Sequence, residues 1–167
     1  MATEKNTTDK NEPVNEAEHN PNPAAGVSPA ADERTMAALA HASHLLNAVT
    51  GMGGLIAAGA IWLTQKEKFP QAAFHGLQSL VFQGLLMILV VVEVGVVWVL
   101  GFVFSFATMG IGTIVAVPIM ILSMFLAFLL MGAGIAYSLY GAYQVYEGRE
   151  FNYYLIGDWV QQHQQGG

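Results

Sequence analysis

FPQAAFHGLQSLVFQGLLMILVVVEVGVVWVLGFVFSFATMGIGTIVAVPIMILSMFLAFLLMGAGIAYSLYGAYQVY runs from Phe69 to Tyr146, and in these seventy-eight residues one side chain is formally charged, Glu93. A soluble domain of this length needs polar outward faces. A bilayer interior instead penalises each charge at its centre by about 2.5–3.5 kcal/mol on insertion scales. The stretch places the chain in a membrane and makes Glu93 its one exceptional polar commitment.

Working outward, the chain has 167 residues, is 54% apolar and carries a formal net charge of −6, a size that suits one membrane domain. The charge is unevenly spread. Residues 1–35 hold seven acids (Glu4, Asp9, Glu12, Glu16, Glu18, Asp32, Glu33) against Lys5, Lys10 and Arg34. With no basic patch, nucleic-acid binding has no electrostatic support. Cysteine is absent, which excludes disulfides, thiolate metal ligands and cysteine nucleophiles together. MATEKNTTDKNEP has no apolar core after its charges, so it does not read as a signal peptide, and targeting is expected from the first membrane helix.

Residues 1–33 are acidic and punctuated by Pro13, Pro21, Pro23 and Pro29, too poor in apolar surface to offset the entropy of ordering, so they read as a disordered tail. The helical transmembrane domain is expected over 34–160, followed by a polar tail over 161–167. Its first helix is expected over about 35–64, with an uncharged second half from Leu45 to Leu63 that is long enough to cross. Gly51, Gly53 and Gly54 lie inside it, where small residues let helices approach closely, and Gly54 with Ala58 forms a small-xxx-small pair. The charged turn Gln65-Lys-Glu-Lys-Phe-Pro70 leads to a second helix over about 71–104, roughly 50 Å at 1.5 Å per residue. That exceeds the hydrocarbon thickness, so the helix must tilt, protrude or break, with Gly95 or Gly101 the expected break point. A third helix follows over about 114–146. The fold class is therefore all-α integral membrane, an antiparallel hairpin plus a third spanning helix, with a fourth span only if a long segment folds back. Lys66, Lys68 and Arg149 on one side against Arg34 on the other favour an outside N-terminus and a cytoplasmic C-terminus in the cell membrane.

Inside the apolar segments, His41, His44 and Asn47 recur every three residues and share a broad face. If the first two helices form a simple antiparallel hairpin, residues whose numbers sum to about 137 share a depth, because both rise equally per residue. His44 then falls opposite Glu93, with His41 a turn away. The expectation is a buried pair of Glu93 with His44 or His41. It reads foremost as a packing hydrogen bond, with a solvated Glu93 and proton or ligand chemistry at imidazole as the alternatives. Two histidines spaced by three without a third ligand do not define a metal site.

His75, Gln78, Ser79 and Gln83 occupy an arc of about 140° on the second helix. That face reads as an inter-helix seam, with a water-lined vestibule as the alternative. All six tyrosines lie between Tyr137 and Tyr154 and read as an interfacial aromatic belt extended by Phe151 and Trp159. Ala127, Gly134 and Gly141, seven apart, give the third helix one small face. The sequence shows no nucleophile elbow, no phosphate-cradling Gly loop and no His-Glu-x-x-His.

Three segments, AALAHASHLLN from Ala37, IWLTQKEKFPQAAFHGLQSLVFQ from Ile61 and YGAYQVYEGREFNYYLIGDWV from Tyr140, carry a likeness to known proteins. Over roughly residues 33–160 the chain resembles an uncharacterised family of small bacterial membrane proteins related to the central twenty-kilodalton subunit of the chloroplast inner-envelope import translocon. The resemblance implies a helical membrane fold and, through the plant relatives, a translocation role. Leu155-Ile-Gly157 stands where that family usually has a Pro after the tyrosine pair.

The function expected is that of a non-enzymatic structural or accessory subunit, acting through helix contacts in a larger membrane assembly. Its partners would be the bilayer and other membrane proteins or further copies of itself, and no cofactor is expected. Two alternatives stand beside it: a pore or translocation component with His75, Gln78 and Gln83 along an aqueous path, and a cofactor- or pigment-binding subunit using His41 and His44.

Overall fold

A computed structural model describes residues 31–154, Ile156 and Val160. The tail expected over 1–33 lies outside the described residues except for 31–33, which already belong to a helix; Trp159 and the tail over 161–167 lie outside them too. Five helices follow in order: α1 (Ala31–Ala42), α2 (His44–Thr50), α3 (Gly53–Gln65), α4 (Pro70–Ala107) and α5 (Thr113–Tyr146).

The first expected span is not one helix. At Ser43 the ladder is disturbed by side chains: the Ala40 carbonyl accepts from Ser79 Oγ at 2.7 Å and lies 2.7 Å from Ser43 Oγ. Hydroxyls inserted into a helix ladder bend it. At Gly51 the chain then reverses. Its φ of +79° is a left-handed conformation that a side chain resists, and its N–H closes onto the Asn47 carbonyl. The far side of the turn is also capped from within. The Gly53 N–H donates to Thr50 Oγ1 at 2.7 Å, and Asn47 Oδ1 accepts from the N–H groups of Gly54 (2.7 Å) and Leu55 (3.3 Å). Three otherwise orphaned donors at the start of α3 are thereby satisfied.

The register follows from pairs of neighbours. His41 meets His75, the Ala40 carbonyl meets Ser79, and Asn47 meets Gln83, so α1–α2 runs parallel to α4. Arg34 lies beside Gly148 and His44 beside Ser138, so α1–α2 is antiparallel to α5. A Cβ on Gly54 would lie 2.7 Å from Gln83 Oε1, and one on Gly76 would lie 2.8 Å from the Trp62 nitrogen. Thus α3 is antiparallel to α4, with numbers summing to about the value expected. The sum fails before Gly51, where the chain is travelling the other way. The base of the hairpin, the α3–α4 turn and the end of α5 therefore share one end of the molecule; Glu33 Oε1 accepting from the Gln71 N–H at 2.8 Å ties them together.

Among the described residues two helices, not three, are long and apolar enough to cross a membrane: α4 with 38 residues and α5 with 34. Neither Gly95 nor Gly101 breaks α4. These two pack antiparallel, with Gly101 against Ala116 and Leu86 against Gly134, while further along α5 Ser138 faces His44 and Tyr153 and Gly141 faces Phe151. Arg34 is not on the far side from Lys66, Lys68 and Arg149 but at their end, which removes the basis for placing the two termini on opposite faces.

Candidate functional site: a buried polar network under the hairpin

Where α1, α2, α4, α5 and the segment after α5 converge, a set of polar side chains is buried beside the apolar cluster of Ala37, Ala72, Val145, Phe151, Ile156 and Val160: His41, Ser43, His44, Asn47, His75, Gln78, Ser79, Gln83 and Ser138, each at most 8% exposed. Backbone geometry makes this possible. The parallel run of α1 beside α4 lays the three-spaced face of His41, His44 and Asn47 along the arc of His75, Ser79 and Gln83.

Two circuits result. In the first, Gln83 Nε2 donates to Ser79 Oγ (2.8 Å) and Ser43 Oγ (3.3 Å), while its Oε1 accepts from Asn47 Nδ2 at 2.8 Å. One amide thus joins α4 to both arms of the reversal, because Asn47 in turn caps α3. In the second, His75 Nδ1 lies 3.1 Å from His41 Nε2, and His41 Nδ1 lies 3.0 Å from the Tyr153 hydroxyl. That hydroxyl is 3.0 Å from Ser138 Oγ, which is 2.8 Å from His44 Nδ1. Five side chains, one each from α4, α1, the segment after α5, α5 and α2, form one continuous line. Tyr153 stands at its centre, stacked on Phe82 with centroids 4.2 Å apart and edge-on to Tyr137 and Phe151. Burial pushes its phenol up to about 12, so it remains a neutral hydrogen-bonding group.

The expected site residues are therefore regrouped. His41 and His44 are not brought to Glu93, since their ring nitrogens face Tyr153, His75 and Ser138. The reversal at Gly51 is the reason: it puts His44 beside Phe82, ring centroids 5.9 Å apart, rather than at the depth of Glu93. Glu93 instead faces the α4–α5 seam, with Oε2 buried and unpartnered among the described residues. The second-helix arc stays together. His75, Ser79 and Gln83 meet α1–α2, and Gln78 Nε2 donates to Asn152 Oδ1 at 2.7 Å. Ser138, Asn152 and Tyr153 went unrecognised as members. Ser138 did carry a signal, lying four residues after Gly134 on the small face of α5; Tyr153 was hidden in a run of tyrosines that reads equally well as a membrane-interface belt.

Chemically, the arrangement is a lattice of neutral donors and acceptors. His41 has both ring nitrogens engaged, and among the described residues no group of three His, Asp or Glu side chains is placed to hold a metal ion.

No curated protein and no solved structure matches the chain. A model of the magnetosome magnetite crystal formation protein family (MamF/MmsF) matches residues 32–160, a range that takes in the hairpin, both long helices and the Tyr153 segment. This replaces the translocon-related resemblance. Of the residues that carried that likeness, His41, His75 and Gln83 hold the hairpin to α4, whereas His44 bonds Ser138 on α5 and Gln78 bonds Asn152. By the extent and position of this match, the chain belongs to the magnetosome magnetite crystal formation protein family.

Proposed function

We propose that this protein is a two-span membrane component of magnetite crystal formation that acts by contact within a larger membrane assembly, not by catalysis. The observation that carries the reading is how bare the two long helices are. The most apolar eighteen-residue stretch of α4 buries none of its residues inside the chain, and that of α5 buries 17%. A core helix of a soluble protein covers its apolar stripe with its own fold, whereas lipid or neighbouring membrane helices are the natural cover for one left open. Membership of a family named for magnetite crystal formation supplies the process.

The polar network supports a structural role, because its imidazoles, amides and hydroxyls are turned onto one another and hold the hairpin against α4 and α5. The arc His75, Gln78, Ser79 and Gln83 is inward-facing, and no specific contact favours the pore or pigment readings. The end bearing Arg34, Lys66, Lys68 and Arg149 is assigned to the cytoplasm by the excess of basic residues beside the spans. Deleting the gene in a magnetite-forming host should shift the crystal size or shape distribution measured by electron microscopy, with recovery on re-expression. An unchanged distribution overturns the assigned process; a protein released from membranes by carbonate washing overturns the two-span placement.

A further inference from the structure

Four helices stand side by side at one end of this molecule and two at the other. At the base end α1, α3, α4 and α5 pack together. The reversal at Gly51 lies at the level of Gln83 to Leu86, where Gly54 meets Gln83 and the Leu55 side chain reaches Gly84. Past Leu86, α4 runs on for roughly 30 Å at 1.5 Å per residue. There it is paired with α5, and Ile88, Val92, Val96 and Val99 are exposed on its outward side.

Aromatic residues mark two levels along this length. At the base, Lys66 Nζ lies 4.2 Å over the Trp62 ring, Lys68 Nζ lies 4.9 Å over Phe69, and Tyr140, Tyr143 and Tyr146 are exposed. Toward the far end, Trp98 packs edge-on with Phe102, and Phe104 and Phe106 are exposed. With Leu86 beside Gly134, Tyr140 stands level with Leu80. The separation from that level to about Leu100 is on the order of 30 Å, one hydrocarbon thickness, and Trp and Tyr concentrate at its two boundaries. On that placement the hairpin does not cross. Its tip reaches a turn or two past the near boundary, and the residues it presents there, Val49, Met52 and Ile56, are 85%, 54% and 70% exposed and apolar.

We propose that the α1–α3 hairpin is a one-leaflet insertion that makes the protein a wedge, so that its preferred ligand is a curved bilayer convex on the leaflet holding the hairpin. Each helix with its side chains is about 10 Å across. Two extra helices in the near leaflet therefore expand that monolayer with no counterpart in the far one. The lipid is the occupant of the hairpin's apolar outer face because that face is continuous with the exposed apolar flanks of α4 and α5 at the same depth. Lys66, Lys68, Arg34 and Arg149 stand at the headgroup end of the same wedge together with Glu33, Glu67 and Glu147, the last paired with Arg149 at 3.0 Å. This inference rests on the two-span placement proposed above.

The test uses the full chain carrying Lys66→Cys as its one thiol, reconstituted into vesicles of about 30 nm and about 200 nm diameter at equal lipid, where about a threefold enrichment per unit lipid on the small vesicles is expected. An impermeant maleimide reads orientation, and the base end should label from outside preferentially on the small vesicles. Equal density and orientation on both sizes overturns the wedge. Failure to resist carbonate extraction overturns the two-span placement instead. A Val49→Asp, Ile56→Asp variant places charge at exposed tip positions away from the buried network. It should keep the near-ultraviolet signal of the Tyr153 cluster and lose the size preference. Retention of the preference by the folded variant overturns the hairpin as its source; should the variant fail to fold, the wild-type sorting alone decides.

Discussion

The two ends of this molecule solve the same packing problem in opposite ways. At the base, α1 and α4 meet through histidines, serines and amides, whose hydrogen bonds set which residue stands opposite which. At the far end, α4 and α5 meet through small residues, Gly101 against Ala116 and Gly134 against Leu86, and their outward faces are uniformly apolar. Directional bonds fix a single register, whereas close packing of small residues tolerates sliding and repacking. The contrast teaches that the base end specifies the fold and the far end specifies the environment.

Three substitutions test that division. The largest effect is expected at Gly54, where a Cβ would lie 2.5 Å from the Ser43 carbonyl oxygen and 2.7 Å from both Asn47 Oδ1 and Gln83 Oε1. Gly54→Val should destabilise the protein by about 3 kcal/mol or prevent the reversal from forming, seen as loss of cooperative unfolding by circular dichroism in detergent. A near-native variant would show that the base end is no better specified than the far end. Next comes Gln83→Leu, which strips partners from Asn47, Ser79 and Ser43 together. A loss of about 1–3 kcal/mol is expected, toward the lower figure if the membrane-like surroundings soften it. An unchanged midpoint would mean that the lattice does not hold the hairpin. The smallest effect, of opposite sign, is expected from Glu93→Leu. Replacing an orphaned polar group in the apolar seam by a side chain of similar size should raise stability by about 1 kcal/mol. A loss of similar size would sharpen the comparison differently, by revealing that the far end holds a polar contact made with a partner in the assembly.

Much of this was legible in the sequence. The apolar tract announces α4 and α5, Pro70 marks the start of α4, and the charged turn before it sets where α3 ends. The arc of His75, Gln78, Ser79 and Gln83 is readable as one helix face from the 3.6-residue period, with an inter-helix seam and a water-lined vestibule as its two readings. The reversal was not legible, because glycines in an apolar helix have two meanings. They permit close approach, as Gly54 and Gly76 do, and they permit left-handed backbone, as Gly51 does. Composition does not separate the two. Asn47 was the discriminating residue, since an amide four positions before Gly51 and six before the Gly53-Gly54 pair supplies the cap that a broken helix needs. With the reversal missed, the pairing of Glu93 with His44 followed from correct arithmetic applied to a chain running the wrong way.

The left-handed residue at position 51 has a consequence for the parity of the chain. An uninterrupted first helix would make three crossings and leave the two ends of the protein in different compartments. Turned back at Gly51, the chain brings the start of α1 to the end of the molecule where α5 finishes, with Arg34 beside Gly148, so that the two-span placement proposed above has an even number of crossings. On that placement, one backbone dihedral decides whether Ala31 and Tyr146 face the same compartment.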